Sequence, residues 1–157
     1  MRSQTLIALI VALGGCFMVA SYLDRVADKN HQRDRDTLVS AVDDLWLQAL
    51  HVGADPDRWP DVVFLSDFGT PLARTRCSRP RPEIQFNDDL LQRYRWHLHN
   101  MTVAHEMAHI MVCLDGKADE WRDHHGEHWE NWVRLLVPRD VADDIIADQH
   151  IADQEEP

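Results

Sequence analysis

The stretch TVAHEMAHIMV, residues 102–112, constrains this chain more than any other. Val103, Ala104, Met107, Ala108, Ile110 and Met111 carry the apolar pattern of a buried helix, yet His105 and His109 interrupt it four residues apart. That spacing is about one helical turn, so both imidazoles leave the same face. Polar nitrogens taken into a core without partners cost roughly 1–3 kcal/mol each, so the fold must bring something to them. A metal ion suits the H-E-x-x-H spacing, because both rings can reach one ion. Glu106, one residue along, is then held beside the metal, where it can take a proton from water instead of ligating.

Two histidines do not complete a zinc site, and the sequence downstream offers several third ligands. A pattern with Gly three and His six residues after the second His fails, because Val112 and Asp115 stand there. Glu127 or Glu130 could be drawn in from a following helix. The cluster DHHGEHW, residues 123–129, is the better source, since a neutral imidazole would give a three-His site with an open fourth position.

Around this motif the hydrophobic period changes in a way that predicts an α+β domain. Leu38, Val42, Leu45, Trp46 and Ala49 fall at helical spacing, so residues 37–52 are expected as an amphipathic helix stopped by Gly53. A loop through Pro56 and Pro60 follows. Residues 61–65 (DVVFL), 73–77 and 83–87 (EIQFN) read as strands of a small antiparallel sheet. Pro80 and Pro82 confine the third strand to an edge or a late start. From Asp88 the helical period returns in Leu90, Leu91 and Tyr94, and then in the motif helix, which Gly116 stops. Another helix is expected from 126 or 127 to 136, with Trp129, Trp132, Val133 and Leu136 inward, until Pro138 interrupts it. The acidic tail from Arg139 carries Val141, Ile145 and Ile146 and predicts a short, fraying surface helix.

The N-terminus is a separate matter. Residues 6–23 (LIALIVALGGCFMVASYL) form 18 residues without a charge, about the length that spans a bilayer as a helix. An uncleaved anchor, a cleaved secretory signal and a lipoprotein signal at Leu13-Gly14-Gly15-Cys16 compete, and the apolar run beyond Cys16 favours the anchor. Arg2 before the segment and Arg25, Lys29, Arg33 and Arg35 after it give conflicting orientations; an extracytoplasmic domain is the expectation. Residues 24–36 alternate charges without an apolar stripe and read as a linker or the exposed start of a helix. The resulting division is anchor 1–23, charged linker 24–36, domain 37–137 and acidic tail 138–157.

Charge narrows the partners. A formal net charge of -11 argues against nucleic acid, whose binding depends on Lys and Arg neutralising phosphates. Arg74, Arg76, Arg79, Arg81, Arg93 and Arg95 cluster in sequence, but such a run is ordinarily a solvated face. Cys77 and Cys113 are the only thiols outside the apolar segment and read equally as a disulfide or as two buried thiols.

The two His-containing motifs together resemble the SprT-like zinc metallopeptidases, in which H-E-x-x-H is followed by a loop and then H-G-x-x-[FW] opening a helix. His105, Glu106 and His109 match the first part, and His125-Gly126-Glu127-His128-Trp129 the second. The resemblance covers roughly residues 38–137. It implies a minimal zincin-like domain, zinc on His105, His109 and His125, Glu106 as general base, and a protein or peptide substrate. His124 and His128 would be neighbours in solvent. Tyr94, His97 and His99 are oxyanion candidates by sequence proximity alone, and Asp115, Glu120 and Asp123 are candidates to orient the ligands. Many members carry a C-terminal zinc ribbon with Cys pairs, which this sequence lacks. The DNA cross-link substrates of Spartan, another member, do not carry over to an acidic chain with an apolar leader. A membrane-tethered zinc-binding domain without peptidase activity is the alternative.

Overall fold

In the computed structural model the described residues are 2–67, 69–77, 81–116 and 125–155, with side chains described between residues 25 and 150. The chain divides into two units, residues 1–34 and 35–157. Helix α1, Arg2–His51, contributes to both. Residues 24–36 are therefore helical, which takes up the second of the two sequence readings. Among the described residues no helix is long and apolar enough to cross a membrane. The apolar segment 6–23 has helical backbone, but its side chains lie outside the described ones, and the anchor expectation falls there.

In the second unit α1 presents Leu38, Val42, Trp46 and Ala49 to the core, each 1% exposed or less. This is the expected stripe, spaced by four, four and three residues. The helix ends at His51, and Gly53 turns the chain away with φ 107°, a value open to glycine without strain. The indole of Trp59 packs on Trp46 and donates to Asp43 Oδ1 at 3.0 Å, which folds the Pro-containing loop back onto α1.

Strands β1 (Asp61–Leu65), β2 (Ala73–Arg76) and β3 (Glu83–Asn87) form one sheet in the order β1-β3-β2. The sheet is mixed, not antiparallel as expected: β3 runs parallel to β1 and antiparallel to β2. The physical reason lies in β3, whose two faces are both buried and which therefore takes the centre. Ile84 and Phe86 alternate with Gln85 and Asn87, all between 0% and 4% exposed. Gln85 accepts from Arg74 and donates to Glu83, while the Asn87 amide nitrogen donates to the carbonyls of Gly69 and Pro71 and its Oδ1 accepts no hydrogen bond among the described residues. With β3 central, β1 and β2 take opposite edges. Pro82 lies just before β3, the late start the sequence allowed, and its carbonyl accepts from Asp61 at 2.9 Å.

Beyond the sheet, residues 88–94 form a short 3-10 turn and bends instead of the helix that Leu90 and Leu91 suggested. Arg35 clamps the turn from α1 with a two-pronged ion pair to Asp88. The short helix α2 (Arg95–His97) then passes through a π turn (Leu98–Thr102) into α3 (Val103–Leu114). α4 (Glu127–Leu136) buries Trp129, Val133 and Leu136 as expected, whereas Trp132, also expected inward, is only half-buried. α5 (Arg139–Glu155) departs from expectation: it is 17 residues long and places Ala142, Ile145 and Ile146 in the core. Asp140, Asp143 and Asp144 are exposed on its other side, and the packed unit continues past residue 137.

Candidate metal centre

Helix α3 places His105 and His109 one turn apart, and the structure brings a third imidazole to them from the turn before α4. His105, His109 and His125 offer ligand atoms that all lie within 4.8 Å of one another, a grouping able to hold a metal ion. Their ring centroids form a nearly equilateral triangle, 4.9 Å from His105 to His109 and 5.0 Å from each to His125. The Nε2 atoms of His105 and His109 are 3.2 Å apart. Two nitrogens on a tetrahedral zinc, each at about 2.0–2.1 Å from it, stand about 3.3 Å apart. Donor type, number and spacing therefore fit zinc.

Electrostatics agrees with that fit. Burial, helped by the neighbouring His125 and His97, lowers the pKa of His105 from 6.5 to about 3. It stays neutral across the physiological range, as a ligand must. Glu106, on the inward side of the same helix, is 5% exposed, and burial raises its pKa from 4.5 to about 7. Thr75 on β2 moderates that rise, with its hydroxyl 2.8 Å from Glu106 Oε2 and 2.9 Å from the Glu106 carbonyl. A carboxyl poised near neutrality can both take and return a proton.

Trp129 closes the back of the cluster. Its ring lies 4.9, 5.8 and 4.8 Å from those of His105, His109 and His125, and it is 2% exposed. In front, a cavity of about 270 Å³ reaches His105 and Glu106. Leu72, Ala73, Met101 and Ile145 supply apolar wall, and His97, Asp148 and Gln149 supply polar groups.

The remaining sequence candidates separate in space. Glu130 bonds Arg134 and His150, and Glu127 and His128 are exposed on α4, so none of them joins the cluster. His97 lines the cavity, whereas Tyr94 and His99 do not. Asp115 accepts from the indole of Trp132 at 2.8 Å. Glu120, Asp123 and His124 lie outside the described residues. Of the arginines, Arg74, Arg76, Arg81, Arg93 and Arg95 are exposed. Cys77, after β2, is joined to Cys113 of α3 by a disulfide with a Cα–Cα distance of 6.0 Å, which decides between the two sequence readings. Thr75 and the α5 wall were missed by sequence reasoning. Trp129, expected both as an inward residue of α4 and as the last residue of the second motif, is both buried and packed on the histidines.

Comparison with known proteins agrees with this geometry. A model of the SprT-like family matches residues 60–143, more than half of the chain, from the loop before β1 into α5. No curated protein and no solved structure matches the chain.

Proposed function

The chain belongs to the SprT-like family, and from that premise we propose that it is a zinc-dependent metallopeptidase that hydrolyses peptide bonds. The observation that carries the reading is the triangle of three imidazoles with one buried carboxyl beside it, where a cavity reaches His105 and Glu106. His105, His109 and His125 would hold the metal. Zinc, when bound, supplies a Lewis acid that activates water and polarises a carbonyl. Glu106 accepts the proton of the attacking water and later passes it to the leaving amine. Its burial keeps that proton affinity near neutrality, and Thr75 holds the carboxyl in place. Leu72, Ala73, Met101 and Ile145 give the substrate an apolar wall beside the catalytic groups.

We further propose that residues 6–23 attach the chain to a membrane and that the domain faces an oxidising, extracytoplasmic compartment. The uncharged run and the Cys77–Cys113 disulfide support this, since disulfides persist where thiols are not kept reduced. A nucleic-acid partner is disfavoured by the charge of -11.

The test is cleavage of an unfolded protein by the zinc-loaded chain and by its Glu106→Gln variant. Cleavage by the parent and a loss of two or more orders of magnitude in a variant that keeps its zinc is the expected result. Full activity in that variant would remove Glu106 from the mechanism. Zinc binding without any cleavage would favour a tethered, non-catalytic zinc-binding interaction domain.

A further inference from the structure

The chain touches the motif helix at two points two residues apart, one in β2 and one just after it. Thr75 puts its hydroxyl 2.8 Å from Glu106 Oε2, and Cys77, two residues on, is bonded to Cys113. Residues two apart share a face of a strand, and Glu106 and Cys113 are seven apart, close to two helical turns, so they share a face of α3. Among the described residues no other side chain hydrogen-bonds the Glu106 carboxyl. Because β2 is an edge strand, its backbone ladder to β3 secures one side only. The disulfide adds a covalent tie on the side of α3.

We propose that Thr75 is a positioning residue for Glu106 and that the Cys77–Cys113 disulfide keeps Thr75 in place; this rests on the peptidase reading, because Glu106 is the base being positioned. A hydroxyl carries one hydrogen. Donated to Oε2 beside the Thr75 main-chain bond to the same carboxyl, it selects one carboxyl orientation from the several that a Glu side chain can adopt. The Glu106 carbonyl, 2.9 Å from the same hydroxyl, shares that hydrogen in a three-centre bond, so both acceptors belong to Glu106.

The experiment uses the full chain loaded with zinc and a fluorogenic peptide cut by the parent. Thr75→Val, which keeps the shape and removes the hydroxyl, is expected to lower kcat about ten-fold or more, with zinc content and KM essentially unchanged. Thr75→Ser should restore most of the loss. The paired change Cys77→Ala and Cys113→Ala should lower kcat in the same direction by a smaller factor. A second readout does not depend on turnover: a double-mutant cycle of Thr75→Val with Glu106→Leu on the unfolding of the metal-free protein, expected to be non-additive. An unchanged kcat in Thr75→Val, or an additive cycle, overturns the proposal. A parent that holds zinc and cuts nothing ends the peptidase reading; a coupled cycle then still keeps Thr75 as the group that holds Glu106, and an additive one removes it.

Discussion

Trp129 donates its indole N–H to the main-chain carbonyl of His105, 3.2 Å away, although the two residues stand on different helices. The same ring packs against all three imidazoles, so one side chain joins the motif helix, the helix that follows His125 and the ligand cluster. Replacing Trp129 with Ala is expected to cost about 3–5 kcal/mol of stability. Zinc affinity should fall ten- to a hundred-fold. Trp129→Phe, which loses the donor but keeps a ring, should cost only about 1 kcal/mol. Denaturant melts and chelator-competition titrations measure both effects. Unchanged zinc affinity in a folded Ala variant would show that the histidines hold their geometry without the indole.

Metal content tests the triangle directly. The parent, dialysed and measured by elemental analysis, should hold about one zinc per chain, and His125→Ala should lose most of it. Glu130→Gln, on the same helix but bonded to Arg134 and His150, should keep it. The reverse pattern would move the third ligand to Glu130.

The metal-free protein should show opposed pH effects from two adjacent residues. Glu106 has its pKa raised from 4.5 to about 7, so its stabilising contribution is complete below 4.5 and is lost as pH rises to 7. His105 has its pKa lowered from 6.5 to about 3, so its contribution is complete above 6.5 and is lost as pH falls towards 3. The two offset each other between 4.5 and 6.5. Glu106→Gln removes one of them. Urea melts from pH 4.5 to pH 7.5 should show the variant gaining stability relative to the parent as pH rises, then levelling off above about 7. A constant difference would mean that the Glu106 carboxyl is solvated.

Removing the disulfide should destabilise the domain. The cysteines are 36 residues apart, and closing a loop of that length restricts the unfolded chain by roughly 4 kcal/mol in the chain-entropy account. Thermal melts of the Cys77→Ala, Cys113→Ala double variant read the loss. No shift in midpoint would argue against the bond in solution.

α5 should behave as part of the core. Ile145 is 3% exposed and also lines the cavity, so Ile145→Ala is expected to cost about 2–5 kcal/mol and to weaken substrate binding. A neutral effect on the melting curve would return α5 to the status of a surface tail.

What could be read without the fold was local. Helical spacing put His105 and His109 on one face, gave α1 its stripe of Leu38, Val42, Trp46 and Ala49, and marked Trp129, Val133 and Leu136 as inward. These follow from a period of 3.6 residues, which acts over one or two turns of chain. The resemblance to a known motif then selected His125 among several downstream candidates.

The tertiary structure decided what depends on chain segments meeting from a distance. The central place of β3 in the sheet follows from its being buried on both faces, and no strand carries its neighbour's direction in its own pattern. Thr75 meets Glu106 across 31 positions of sequence, and Cys77 meets Cys113 across 36. The pattern of α5 suggests a solvated tail because six acidic residues are interspersed with its apolar ones. Only the packed structure shows that Ala142, Ile145 and Ile146 share one buried side, where removing a few large side chains from water outweighs the charges left on the other.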